Sequence, residues 1–114
     1  MAEIVVIEAG EAFTHVALRG RLDVTGVEAV ELKLTSHTVA RRKPAIVDIS
    51  AVEVLASIGV GMLVKTARSM HSHGLIFGVV ATGIGKEILV RLKVDTIFPV
   101  VETYEQALRT LMLE

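Results

Sequence analysis

Cysteine and tryptophan are absent from this 114-residue sequence, and tyrosine occurs once. Without cysteine the chain has no disulfide, no thiolate metal ligand and no cysteine nucleophile, so these chemistries are excluded together. Aromatic residues make up only 4% and hydrophobic residues 52%, which requires a core built from aliphatic side chains. The length indicates a single domain over residues 1–114, because half of it would be too short to bury a core of its own.

The chain also lacks an excess of either charge and any long apolar run. Twelve Lys and Arg residues against thirteen Asp and Glu residues give a net charge of -1, so no broad field attracts nucleic acid. The basic cluster Arg41–Lys43 has no interleaved aromatics and is typical of a solvated loop. The apolar stretch from Leu75 to Gly85 is far shorter than the roughly 20 residues of a membrane helix. We therefore expect a cytoplasmic protein with no nucleic-acid partner and no membrane insertion.

Apolar runs separated by turn signals predict five strands. Two β-rich runs, Ile4–Ile7 and Phe13–Arg19, flank a turn-like segment and predict an N-terminal hairpin. The continuous apolar run Ala45–Ile49 predicts a parallel strand covered on both faces. Further strands are expected at Leu75–Val80 and Ile97–Val101, and the proline in the last one favours the edge of the sheet.

Helical periodicity between these strands predicts four helices. We expect them to begin at Thr25, at Ser57, near Lys86 and at Thr103, with Glu105 and Gln106 near the capping-box position of the last one. The alternation of helices and strands indicates an α/β fold: a single domain with a mixed sheet of four or five strands, an N-terminal hairpin and helices packed against the sheet.

No catalytic motif is complete. Gly83–Lys86 is similar to part of a phosphate-binding loop, but Val80 and Glu87 occupy positions where that motif needs Gly and Ser or Thr, so a strand-to-helix turn with positive φ is favoured. His71 and His73 alternate in a helix-ending loop without a third metal ligand nearby, which favours solvated histidines.

The acidic residues suggest no paired-carboxylate site either. Asp23, Asp48 and Glu53 are spread over different loops and strands, and their spacing gives no triad. We therefore expect neither a metal nor a cofactor.

The most informative segment is 48–64, DISAVEVLASIGVGMLV. It predicts the end of a buried strand, a loop containing Val52, Val54 and Leu55, and a helix opening at Ser57. Gly59 and Gly61 are poor helix formers, costing about 1 kcal/mol each relative to Ala. Two interpretations remain open: the glycines allow a partner surface to approach closely, or Ser57 is an N-cap and the glycines pack against the sheet.

Several motifs together resemble the STAS family, named for sulfate transporters and anti-sigma-factor antagonists. Gly20–Asp23 is similar to the family's G-x-L-D after the second strand. Val47–Ser50 followed by Val54–Gly61 is similar to its D-L-S…D-S-[ST]-G-L-G segment. Leu92–Asp95 and Glu105–Leu108 resemble its C-terminal pattern, and the order and spacing of all the pieces match.

The resemblance implies a bacterial partner-switching role. In that family an anti-sigma factor with serine-kinase activity binds the antagonist at the loop before the second main helix, phosphorylates a Ser or Thr there and so breaks the complex. A phosphatase restores it. Family members are not catalysts, so no enzyme activity is expected. The resemblance assigns partner binding to seven residues: Asp23, Ala56, Ser57, Ile58, Gly59, Val60 and Gly61.

The sequence departs from the family pattern at the site of phosphorylation. The family's aspartate corresponds to Ala56, the serine before the acceptor to Ser57 and the acceptor itself to Ile58, which has no hydroxyl. Phosphorylation at the usual atom is impossible. Ser57 is the remaining candidate phosphoacceptor, because a phosphate at a helix N-terminus meets free N–H donors and a favourable dipole.

Two other classes of function stay open. One is a ligand-binding module whose uncharged helix start accepts an anion or a small apolar molecule, and the other is an unrecognised enzyme. The sequence names no partner and no regulated process, and it is compatible with a homo-oligomer.

Overall fold

A computed structural model describes residues 2–114. It contains a five-stranded mixed sheet in the order β1-β2-β3-β4-β5. The hairpin pair β1 and β2 is antiparallel, and each further pair is parallel. The elements are β1 (Ala2–Ala9), β2 (Thr14–Leu22), α1 (Val24–His37), β3 (Ala45–Leu55), α2 (Ser57–Ser72), β4 (Phe77–Val80), α3 (Gly83–Arg91), β5 (Val100–Val101) and α4 (Tyr104–Thr110). The expected fold class is confirmed.

The sheet is covered on both faces, but unequally. A large aliphatic cluster packs between one face and the helices α1, α2 and α3. A smaller cluster on the opposite face lies under α4 alone and consists of Phe13, Ile46, Val80, Ala107 and Leu111. The neighbours Ile46 and Val47 belong to different clusters, as the alternation of side chains along a strand requires.

The third strand is longer than predicted. We expected it to end at Ile49 and to be followed by a loop, but β3 continues to Leu55 because β2 runs beside it to Leu22. A β-bulge separates the pairs Ala17–Asp48 and Arg19–Ala51. The carboxylate of Asp48 accepts hydrogen bonds from the backbone N–H (2.8 Å) and the hydroxyl of Ser50, which stabilises the chain at this bulge.

Three of the predicted helix starts are wrong by one to three residues. The first helix begins at Val24 rather than Thr25, because the Asp23 side chain caps it. Ser57 is the first helical residue of α2 and not its N-cap, which is Ala56. The third helix begins at Gly83, whose φ of +56° fits the expected glycine turn.

The prediction for the last helix is confirmed. Thr103 and Gln106 form a capping box at the start of α4, in which each side chain bonds the backbone of the other residue. The fifth strand is shorter than expected and lies at the edge of the sheet, as its proline indicated. No helix in residues 2–114 is long and apolar enough to cross a membrane.

Candidate functional site

The seven residues singled out from the sequence lie where β2 and β3 end and α1 and α2 begin. The last residues of the two strands, Leu22 and Leu55, are paired in parallel register. The backbone N–H of Ala56 then donates to the carbonyl of Leu22 at 3.1 Å. The two strand-to-helix turns are thus joined by hydrogen bonding, and the fold brings the starts of α1 and α2 together.

Asp23 fixes the start of α1. Its Oδ1 accepts from the backbone N–H of Gly26 at 3.0 Å, and its Oδ2 accepts from Nε of Arg21 at 3.2 Å. The hydrogen bond from Gly26, followed by that from Arg21, lowers the pKa of Asp23 below its ordinary value despite some opposing desolvation. The carboxylate is therefore ionised at neutral pH, and both of its oxygens already accept a hydrogen bond from this chain.

The start of α2 has no such cap. Ala56 stands at the N-cap position, makes no side-chain hydrogen bond to the helix and is followed by no acidic residue in the first turn. Helix N-termini carry unpaired N–H groups and a partial positive charge. Ser57 and Ile58 are exposed there. The serine hydroxyl is thus available at an uncompensated helix start.

The two glycines of α2 differ in their surroundings. A Cβ at Gly59 would come within 2.7 Å of the Leu22 carbonyl oxygen and 2.8 Å of the Leu22 Cβ. Gly59 is therefore needed so that α2 can pack against the end of β2. A Cβ at Gly61 would meet no atom within 4 Å. The packing interpretation holds for Gly59 and fails for Gly61, which is exposed.

Burial restricts which of the seven residues can contact a partner. Val60 is 6% exposed and packs in the large core cluster. Gly59 is also buried, while Asp23 and Ala56 are half-buried. The prediction that these residues bind a partner stays a prediction, but Val60 offers no surface to it.

An exposed valine that the sequence analysis missed completes this surface. Val24, the first residue of α1, is 57% exposed, and Ile58, the second residue of α2, is 42% exposed. An aliphatic residue directly after a capping Asp was the available signal, because that position points away from the core. We call Val24, Ser57, Ile58 and Gly61 the helix-start surface.

Other chemistry-bearing residues are not brought together at this surface. His71 and His73 are exposed at the far end of α2. No group of three or more His, Asp or Glu residues that could hold a metal occurs among residues 2–114.

Three surface cavities have volumes of about 340, 580 and 260 Å³, and their linings do not include Val24, Ser57, Ile58 or Gly61. The largest of the three lies against the start of β1, the last part of β2 and the second half of β3. Its walls are Ala2, Glu3, Arg19, Gly20, Ala51 and Glu53.

Comparison with solved structures identifies several similar folds. An anti-sigma factor antagonist from Mycobacterium paratuberculosis is 28% identical, with a TM-score of 0.87 over 98% of this chain and 95% of that one. The Thermotoga maritima protein TM1081 is 17% identical, with a TM-score of 0.81 over 92% of each chain. A SpoIIAA-like protein from Shewanella loihica is 18% identical, with a TM-score of 0.59 over 96% of this chain and 93% of that one. No curated protein matches the chain.

The family match covers most of the chain. Residues 4–107 match the family model described as STAS domain. This range runs from the first strand into the last helix and includes the helix-start surface. The sequence motifs, the mixed five-stranded sheet and the neighbouring structures agree with that match. The chain therefore belongs to the STAS domain family.

Proposed function

We propose that this chain is a bacterial anti-sigma-factor antagonist that acts by binding a protein partner in a partner-switching system. The partner is an anti-sigma factor or a related regulator of serine-kinase fold, and the role is non-catalytic and cytoplasmic. The observation that carries the proposal is the helix-start surface, with two exposed aliphatic side chains beside an uncapped helix start. The similarity to the Mycobacterium paratuberculosis antagonist supports the class of partner.

The chemistry of the surface suits a protein contact. Val24 and Ile58 offer apolar area that a partner can remove from water, and such burial drives association. Gly61 lets a partner backbone approach closely, since nothing within 4 Å fills the space above it. Asp23 lies at the rim of this surface, but its charge is already paired with Arg21, so we assign it the role of fixing the start of α1 and not a direct charge contact with the partner.

Ser57 is the proposed phosphoacceptor in this surface. It is exposed and lies at an uncapped helix start, where free N–H groups stabilise a phosphate. The hydroxyl of Ser50 is instead hydrogen-bonded to Asp48. A dianionic phosphate next to Ile58 would have to be desolvated in an apolar contact, so phosphorylation at Ser57 would release the partner.

Intact-mass analysis after incubation with the partner kinase and ATP tests this assignment. We expect one added phosphate on the wild type and on Ser50→Ala, and none on Ser57→Ala. A phosphate that persists in Ser57→Ala would show that the acceptor lies elsewhere. Its absence from the wild type would favour an antagonist that works without phosphorylation.

A ligand-binding module is the competing hypothesis. The exposed Val24 and Ile58 offer apolar area for a protein contact, whereas the linings of the three cavities described above do not include them. A titration with inorganic phosphate separates the two functions, because an anion sensor would bind phosphate in the absence of any protein.

A further inference from the structure

A buried histidine lies under α4, on the face of the sheet opposite the three long helices. His15 is 8% exposed, and its ring stacks on that of Tyr104 at a centroid distance of 4.5 Å and an interplanar angle of 12°. Its Nε2 is buried and has no hydrogen-bond partner among residues 2–114. The helix-start surface does not use this pair.

Acidic groups on the two neighbouring strands act on His15. Glu8 on β1 is the register partner of His15, and its Oε1 accepts from the Tyr104 hydroxyl at 3.4 Å. Asp48 on β3 and Glu8 both favour the protonated ring, but burial opposes it more strongly, so the pKa of His15 is lowered. From α4, Glu105 acts with Glu8 to raise the pKa of Tyr104, after the larger effect of desolvation. On β2 itself the adjacent Thr14 is uncharged, and its hydroxyl accepts from Arg41.

We propose that His15 and Tyr104 form a pH-sensitive latch that holds α4 on the sheet when His15 is neutral and loosens it when His15 takes up a proton. An imidazolium carries N–H donors on both nitrogens, and the one on Nε2 has no acceptor in the closed arrangement. The Tyr104 ring covers one face of the imidazole and the surrounding packing keeps water from Nε2, so hydration of that N–H requires the packing of Tyr104 and α4 on the sheet to open.

Movement of Tyr104 loosens one end of α4. The Tyr104 hydrogen bond to Glu8 breaks, and water gains access to the small cluster of Phe13, Ile46 and Val80. The other end is held more firmly, because Leu111 lies directly on Gly78, where a Cβ would come within 2.7 Å of its Cδ1. Acidification therefore exposes an apolar patch at the N-terminal end of α4.

The composition provides a direct probe of the latch. Tyr104 is the single tyrosine and tryptophan is absent, so intrinsic fluorescence reports on this ring alone.

The protonation of His15 and the opening of α4 are measured by NMR. The His15 ring signals followed over a pH titration give its midpoint. Amide exchange, corrected for its intrinsic pH dependence, reports on α4 through the N–H of Ala107 and Leu111, which donate to Thr103 and Ala107. Ala67, which is buried in the middle of α2, reports on global unfolding.

The His15 midpoint and the protection of the α4 amides are linked thermodynamically. If loosening exposes His15 fully, the protection of the α4 amides should fall about tenfold for each pH unit by which the His15 midpoint lies below the ordinary value of 6.5. Tyr104 emission should change with the His15 midpoint. An amide that exchanges only by global unfolding should lose protection by the same factor, because the unfolded chain also exposes His15. The latch is therefore distinguished by α4 amides that exchange with a lower opening free energy than the middle of α2. His15→Gln should remove this pH-dependent fall in α4 protection, and His71→Gln should retain it.

Several results would overturn the latch. They are a His15 midpoint at or above the ordinary value of 6.5, α4 protection that does not change as His15 titrates, or a fall in α4 protection of unchanged size in His15→Gln. The wild-type comparison needs no variant, so a His15→Gln protein that fails to fold leaves the test intact.

Discussion

The two glycines at the start of α2 show how one residue type serves two purposes within three positions. Gly59 lies against Leu22, and the structure has no room for a side chain there. Gly61 faces solvent, lowers helix stability and gains no packing contact within this chain in exchange. A contact with a partner explains such a residue best, and this is the role proposed for Gly61.

Alanine at each glycine should therefore have opposite effects on the free energy of unfolding. Gly59→Ala forces α2 away from β2 and should destabilise by about 1 to 3 kcal/mol. Gly61→Ala should stabilise by about 0.5 to 1 kcal/mol, because its site is open and helical. Urea unfolding of the pair measures both changes. A stabilising Gly59→Ala would contradict the packing described here, and a destabilising Gly61→Ala would contradict its open site.

At the scale of elements, the sequence located each strand and helix but misjudged several ends. Beyond Ile49 the continuous apolar run ends, at the bulge that includes Ser50, so the continuation of β3 to Leu55 was interpreted as a loop. That continuation depends on pairing with β2, a long-range partner that no local pattern reveals. Thr25 was expected to cap the first helix. Asp23 is the N-cap instead, because its carboxylate accepts a hydrogen bond from the Gly26 N–H.

The cap of α1 gives a pH prediction. Because the pKa of Asp23 is lower in the folded protein, its ionised form stabilises the fold above the unfolded value of about 3.9. That contribution should be lost as the pH falls from there through the folded pKa. Asn keeps an oxygen that can accept from Gly26 but has no charge. The stability difference between wild type and Asp23→Asn should thus be constant near neutral pH and shrink below about pH 4.

Urea unfolding across a pH series, with Asp23→Ala beside Asp23→Asn, measures this. The alanine variant should be less stable than the asparagine variant at every pH, because it loses the cap acceptor as well as the charge. A wild-type advantage over Asp23→Asn that persists unchanged below the folded pKa of Asp23 would refute the role of its ionised carboxylate.

At the scale of the whole molecule, the motif order was enough to identify the family and its fold, because alternating strands and helices specify few topologies. The candidate site was only partly predictable. The motif pointed to residues 56–61, but which of them face solvent depends on how α2 docks on β2. That docking buries Val60, exposes Ile58 and adds Val24 from another helix, which a linear motif does not contain.

The central claim is that the helix-start surface binds a kinase-fold anti-sigma factor, and Ile58→Asp tests it most directly. Ile58 is 42% exposed on the first turn of α2, where a carboxylate suits the helix dipole, so the melting temperature should hardly change. Ile76 is 43% exposed and directly precedes the first residue of β4, whereas the helix-start surface follows the last residues of β2 and β3. Ile76 therefore provides a control with matched exposure at the opposite edge of the sheet.

The measurement is a binding titration of wild type, Ile58→Asp and Ile76→Asp against each kinase-fold anti-sigma factor that the source organism encodes, run beside thermal melts. Burying an unpaired carboxylate costs several kcal/mol, so Ile58→Asp should weaken binding about a hundredfold or more. Ile76→Asp should bind like the wild type. The account is contradicted if Ile58→Asp binds as tightly as Ile76→Asp, or if the wild type binds none of these proteins.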